Sequence, residues 1–141
     1  MARTYKLHMQ GYDISDNRYM ELKYFCLQYE DKKRMARDIL LSYSGSHFDS
    51  VPSSNWKNSS VVEAKMLKRD TLLHDIKLIE SCAQDVQEGE WYSALIDSCC
   101  RGRNYDTMDK SKMPTSHRKG FYDARKEFYA LLDHRQKGLP E

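Results

Sequence analysis

Apolar residues recur at three- and four-residue spacing over long stretches of this chain, while Val, Ile and Thr never cluster into the alternating runs that strands require. The pattern predicts an all-α fold: a long helical hairpin followed by a C-terminal helix-turn-helix. After an arm over residues 1–13, Ser15 or Asp16 can cap a first helix, because either side chain accepts from free amides of the first turn. That helix is expected over 15–42, with Leu22, Cys26, Tyr29, Ala36 and Leu40 as its inward stripe. A second helix is expected over 60–86, capped by Ser59 or Ser60, with Leu72, Leu73, Ile76, Ile79 and Ala83 facing inward. The two should pair antiparallel. Between them, residues 44–60 hold seven serines with Gly45 and Pro52 as breakers, a strap that Phe48, Val51 and Trp56 could pin down.

The Gln-Glu-Gly-Glu run at 87–90 breaks the pattern and places carboxylates where the positive end of the next helix favours them. Trp91, Leu95 and Cys99 then predict a short third helix over 91–101, with Gly102 as a left-handed C-cap. Residues 103–110 fit a further short helix and 111–114 a turn enforced by Pro114. Thr115 or Ser116 would cap a final helix over 116–136. On it Phe121, Ala124, Phe128 and Leu131 or Leu132 share one face, leaving Tyr122, Tyr129 and the basic residues to others. With 141 residues, a single compact helical domain over 1–141 is expected, made of the hairpin (1–86) and a helix-turn-helix-like subdomain (91–136).

Charge is concentrated in that last part. Residues 101–126 carry eight Lys/Arg against three Asp, a local +5 in a chain whose net charge is only +2. Such a concentration points to a polyanionic partner. The proposed reader comprises Arg118, Lys119, Arg125 and Lys126 for phosphates or guanine edges, Ser116 and His117 at the helix start, and Tyr122 for a phosphate oxygen. Arg101 and Arg103, flanking Gly102, could clamp phosphate or simply sit where a helix end favours cations. Asp123 and Glu127 offer those cations internal partners at helical spacing. The basic run at 32–37 reads as the outer face of the first helix, diluted by Glu30, Asp31 and Asp38.

Other chemistries find less support. Cys26, Cys82, Cys99 and Cys100 include no Cys-x-x-Cys, so reduced, mostly buried thiols are expected, with Cys100 partly exposed. The five histidines contain no i, i+4 pair, and there is no phosphate loop or nucleophile elbow, so the expectation is neither an enzyme nor a cofactor or metal protein. His74, Asp75 and Cys82 are best read as structural. No apolar run reaches the length of a membrane span, which suggests a cytoplasmic protein.

The order of a long helix, a second helix and a basic segment ending in Phe-Tyr-x-x-Arg-x-x-Phe-Tyr-x-Leu-Leu (121–132) resembles the ArpU/RinA-type family of phage transcriptional regulators. The resemblance covers roughly residues 91–135, and more loosely 19–29. It implies a C-terminal part similar to the DNA-binding fourth region of sigma factors, with Arg125 at the DNA face among the recurring positions Phe121, Tyr122, Phe128 and Leu132. The expected partner is double-stranded DNA, with a host polymerase or other nucleoprotein also in reach, and a homodimer would present two helices to paired half-sites. A different class stays open: a mobile-element protein that inhibits a host or defence nucleoprotein, of anti-restriction or anti-CRISPR type, through its acidic middle region (63–97) and the strap.

Overall fold

The structure, a computed structural model, describes residues 9, 11–44, 55–115 and 117–138, without the side chains of 43–44 and 55–59. The fold is all-α. Among the described residues there is no strand, and the α-helices are α1 (Asp16–Leu27), α2 (Tyr29–Ser44), α3 (Asn55–Asp85), α4 (Tyr92–Leu95) and α5 (Arg118–Gln136). The chain divides into two compact units, one formed by 30–77 and the other by 1–29 with 78–141.

In the unit 30–77, α2 and the first part of α3 run antiparallel, as two cross-links show: Lys32 Nζ reaches Asp75 Oδ2 at 2.9 Å, and Arg69 Nε donates to the Ala36 carbonyl at 3.2 Å. Ala36, Leu72 and Ile76 are buried between them. Lys32 departs from the outward position expected of it. It is only 8% exposed, its stem lying in the stripe between Tyr29 and Ala36 while Asp75 takes its charge. Leu40, expected inward, is 42% exposed instead. Helix α3 begins at Asn55, so Ser59 and Ser60 lie inside it and are not caps. Phe48 and Val51 of the strap, and the side chain of Trp56, lie outside what is described.

The second unit carries the main core, where Leu22, Cys26, Ile79, Trp91, Leu95, Phe121, Phe128 and Leu132 are almost completely buried. Each such side chain stabilises the fold by about 1.5–3 kcal/mol. Ser15 caps α1, its hydroxyl accepting from the Arg18 amide at 3.1 Å. The single first helix expected from the sequence is divided at Gln28, which ends α1 with its N–H shared between the Phe25 and Cys26 carbonyls. The backbone there stays near helical values (φ −85°, ψ 0°), so the apolar stripe passes through the break and hides it. Helix α1 packs against α5, where Tyr19 meets Tyr129 edge-on at 5.3 Å. Arg18 also donates to Asp133 at 2.6 Å and to Gln136 at 2.7 Å. Tyr129 is thus buried, contrary to its expected outward position.

Helix α3 leaves through a turn, Val86–Gly89, in which three successive residues are left-handed: Gln87 (φ 48°), Glu88 (φ 60°) and Gly89 (φ 81°). A Cβ at Gly89 would run into the Gln84 side chain and sit 3.3 Å from the Gln84 carbonyl. Gln87 fastens the turn on both sides, its Oε1 accepting from the Trp91 indole at 3.0 Å and its Nε2 donating to Glu127 at 3.1 Å. The expected third helix is α4 continued by a π-helical turn, Ile96–Cys100. Gly102 follows in the left-handed region (φ 70°), and the Arg103 amide reaches back six residues to the Asp97 carbonyl at 3.0 Å.

The expected short helix over 103–110 is replaced by two 3-10 turns, Tyr105–Thr107 and Lys110–Lys112, separated by extended backbone at Met108. Asp109 explains the second break, because its carboxylate takes the Ser111 amide and hydroxyl at 3.0 and 2.6 Å and so competes with helical hydrogen bonding. The last helix starts at Arg118, with His117 as its cap residue and the His117 amide donating to Thr115 Oγ1 at 3.2 Å. Gly120 permits Trp91 to lie close: a Cβ there would be 3.4 Å from the indole.

Candidate nucleic-acid interface

The start of α5 is open and basic. Its first turn contains no acid, and His117, Arg118 and Lys119 are exposed. Arg118 donates to Asp106 at 2.7 Å while its guanidinium lies 4.8 Å from the centre of the Tyr105 ring. Lys110 approaches the same ring at 4.6 Å. Lys119 pairs with Asp123 at 3.0 Å, the expected i, i+4 arrangement. Tyr122 stands edge-on to Phe121 at 4.9 Å and carries the Arg125 guanidinium 4.7 Å above its ring. Aromatic faces therefore hold three cations in place, each such contact contributing roughly 0.5–1 kcal/mol. Lys126 is half-buried and has no ion-pair partner among the described residues.

Two of the expected contact residues, Arg103 and Arg125, also share a second feature, Arg125 standing where it adjoins the head of α5. They line a cavity of about 400 Å³ walled by α1, the π-helical turn and α5, together with Lys23 of α1. Helical spacing builds two of its walls: Tyr19, Lys23 and Leu27 follow at four-residue steps on α1, as do Arg125 and Tyr129 on α5. Burial raises the pKa of Tyr19, against a lowering by Arg125, and pushes the Cys99 thiol up to about 12. Tyr129 is raised too, first by burial and then by Cys99. These groups stay protonated and neutral near pH 7, so the charge of the cavity comes from Lys23, Arg103 and Arg125. Arg101 is not part of it. Its guanidinium pairs with Asp97 at 2.8 Å, one helical turn back, in keeping with the helix-end reading.

No family model, curated protein or solved structure matches this chain.

Ser116 lies outside the described residues, whereas His117, Arg118, Lys119 and Tyr122 gather at the head of α5. Sequence reasoning missed Tyr105, Lys110 and Lys23. The first two fell in a segment read as a plain helix, and Lys23 betrayed itself only by standing four residues from both Tyr19 and Leu27. All four cysteines are buried and unpaired by disulfides, Cys100 included, which had been expected to be partly exposed. A hydrogen bond with Cys100 is the main cause that raises the Cys26 thiol, with burial next. Among the described residues no group of His, Cys, Asp or Glu is arranged to hold a metal ion, and no helix is long and apolar enough to cross a membrane.

Proposed function

We propose that this protein binds double-stranded DNA and acts as a transcriptional regulator of a phage or mobile element, in keeping with the resemblance of residues 91–135 to the ArpU/RinA-type family. The observation that carries the reading is the head of α5, where Arg118, Lys119 and Arg125, with Lys110 beside them, form a basic ridge steadied by Tyr105 and Tyr122. The ion pairs to Asp106 and Asp123 do not oppose it, because both are solvent-exposed and such pairs contribute only about 0–1 kcal/mol, so a phosphate can displace the carboxylates. His117 adds a donor at the helix start, and Arg101, Arg103 and Lys126 extend the positive field. The protein would act in the cytoplasm of a bacterial host, as a dimer on paired half-sites and in contact with the polymerase.

A gel shift with nonspecific duplex at rising salt tests this. Neutralising about four phosphates gives a slope near −3.6 in log K against log salt. Arg118→Glu with Lys119→Glu should abolish the shift and leave helicity intact. No shift at any salt would transfer the reading to the second class, a protein that binds and inhibits a host or defence nucleoprotein. That class is favoured by one observation: Leu40, Leu41, Val61 and Leu67, in the unit 30–77, are 42–66% exposed.

A further inference from the structure

We infer that the cavity between α1, the π-helical turn and α5 is a binding site for a phosphate monoester carrying an apolar or aromatic body, the chemistry of a nucleoside monophosphate. Three positive side chains, Lys23, Arg103 and Arg125, line it, and no carboxylate does. Neither Lys23 nor Arg103 has an ion-pair or hydrogen-bond partner for its side chain among the described residues; Asp106, the nearest acid in sequence to Arg103, is paired with Arg118, and Asp97 is paired with Arg101. Like charges facing one partly enclosed space repel, and an anion between them removes the penalty.

The cations are also held in place. Arg125 rests on the Tyr122 ring at 4.7 Å, and Arg103 is delivered by the left-handed Gly102 and the long return bond from its amide to Asp97. Ser98 supplies an independent observation. The residue is nine-tenths buried in the cavity wall, and its hydroxyl has no hydrogen-bond partner among the described residues. A buried hydroxyl without a partner costs free energy that a ligand oxygen would recover. On the same two walls, α1 and α5, Tyr19, Leu27 and Tyr129 stand beside these cations, so the lining combines positive charge with apolar and aromatic groups and suits a ligand that has both an anionic and a flat or aliphatic part. A volume of about 400 Å³ is of the size that small-molecule sites occupy. The same chemistry is available from a free mononucleotide and from the 5′-phosphorylated end of a DNA strand.

Calorimetric titration of the full chain with a deoxynucleoside 5′-monophosphate, the matching nucleoside and inorganic phosphate tests the assignment. The monophosphate should bind at least tenfold more tightly than the nucleoside. Lys23→Met, at a half-buried side chain, and Arg103→Gln, at an exposed one, should each weaken it tenfold or more without lowering the thermal unfolding midpoint. Ser98→Ala should weaken it less. Arg118→Glu with Lys119→Glu should leave it unaltered, which separates this site from the duplex-binding ridge: loss of duplex binding with monophosphate binding intact overturns only the regulator reading. A duplex preferred when 5′-phosphorylated, with the preference removed by Arg103→Gln, would identify the strand end as the source, and binding of the monophosphate alone would identify the free nucleotide. Equal binding of nucleoside and monophosphate, indifference to both Lys23→Met and Arg103→Gln, or no binding of any of these probes would overturn the assignment.

Discussion

Glu88 holds a left-handed conformation (φ 60°, ψ 27°) with no side-chain hydrogen bond among the described residues. A non-glycine residue in that region costs about 1–2 kcal/mol. Glu88→Gly is therefore expected to raise stability by roughly 1 kcal/mol in chemical denaturation. Gln87, equally left-handed, should not follow it: Gln87→Gly relieves the backbone but forfeits the bonds to Trp91 and Glu127, each worth about 0.5–1.5 kcal/mol, and the net change is zero or a loss. Asp133 gives a pH signature. Burial alone would raise its carboxyl, but hydrogen bonds from Arg18 and Lys137 outweigh burial and hold it below the ordinary carboxylate value. A depressed folded-state pKa adds stability above the unfolded value, near 3.9 for Asp, and that contribution disappears as pH falls through the folded one. Asp133→Asn should flatten the acid side of a stability-against-pH curve and destabilise the protein at pH 7 by roughly 1–3 kcal/mol; an unchanged acid limb would refute the role given to Arg18. Lys32 shows what sequence alone hides at this scale. A lysine amid other cations reads as solvated, and the acid that lets it lie buried, Asp75, stands 43 positions away.

Periodicity exposed the helices because burial dictates it. Of the expected stripes, Leu22, Cys26, Tyr29 and Ala36, and Leu72, Ile76, Ile79 and Ala83, are buried, while Leu73 is half-buried and Leu40 exposed. Where the same residues stay buried under a changed backbone, periodicity is blind: the break at Gln28 and the π-helical turn at 96–100 both keep their apolar sets inward. Residues 103–112 escaped for the opposite reason. There local side-chain bonds such as Asp109 to Ser111 outcompete a short helix, and Tyr105 and Met108 are buried without one. Within α5 the energetic weight falls on Phe128, fully buried and edge-on to Tyr129 at 5.4 Å. Phe128→Ala should cost about 3–5 kcal/mol, read from a denaturant midpoint, and bring the protein close to unfolding. A change below 1 kcal/mol would mean that α5 packs differently.

For the molecule as a whole, the sequence disclosed that positive charge sits in the last third, and composition alone sufficed for that. It could not disclose that this charge parts into a ridge on α5 and a cavity shared with Lys23, because the division depends on α1 returning beside α5 across about a hundred residues. The π-helical turn now acquires a genetic meaning. It accommodates one residue more than an α-helical path would, so an in-frame loss of a single codon between 96 and 100 would restore ordinary winding and leave Gly102 and Arg103 in register. A codon lost anywhere in the turn but at Asp97 would spare every charged side chain, and Arg103 would still lie with Lys23 and Arg125. This segment is thus the place where the chain can change its length by one residue while keeping its fold, its charge and its cavity.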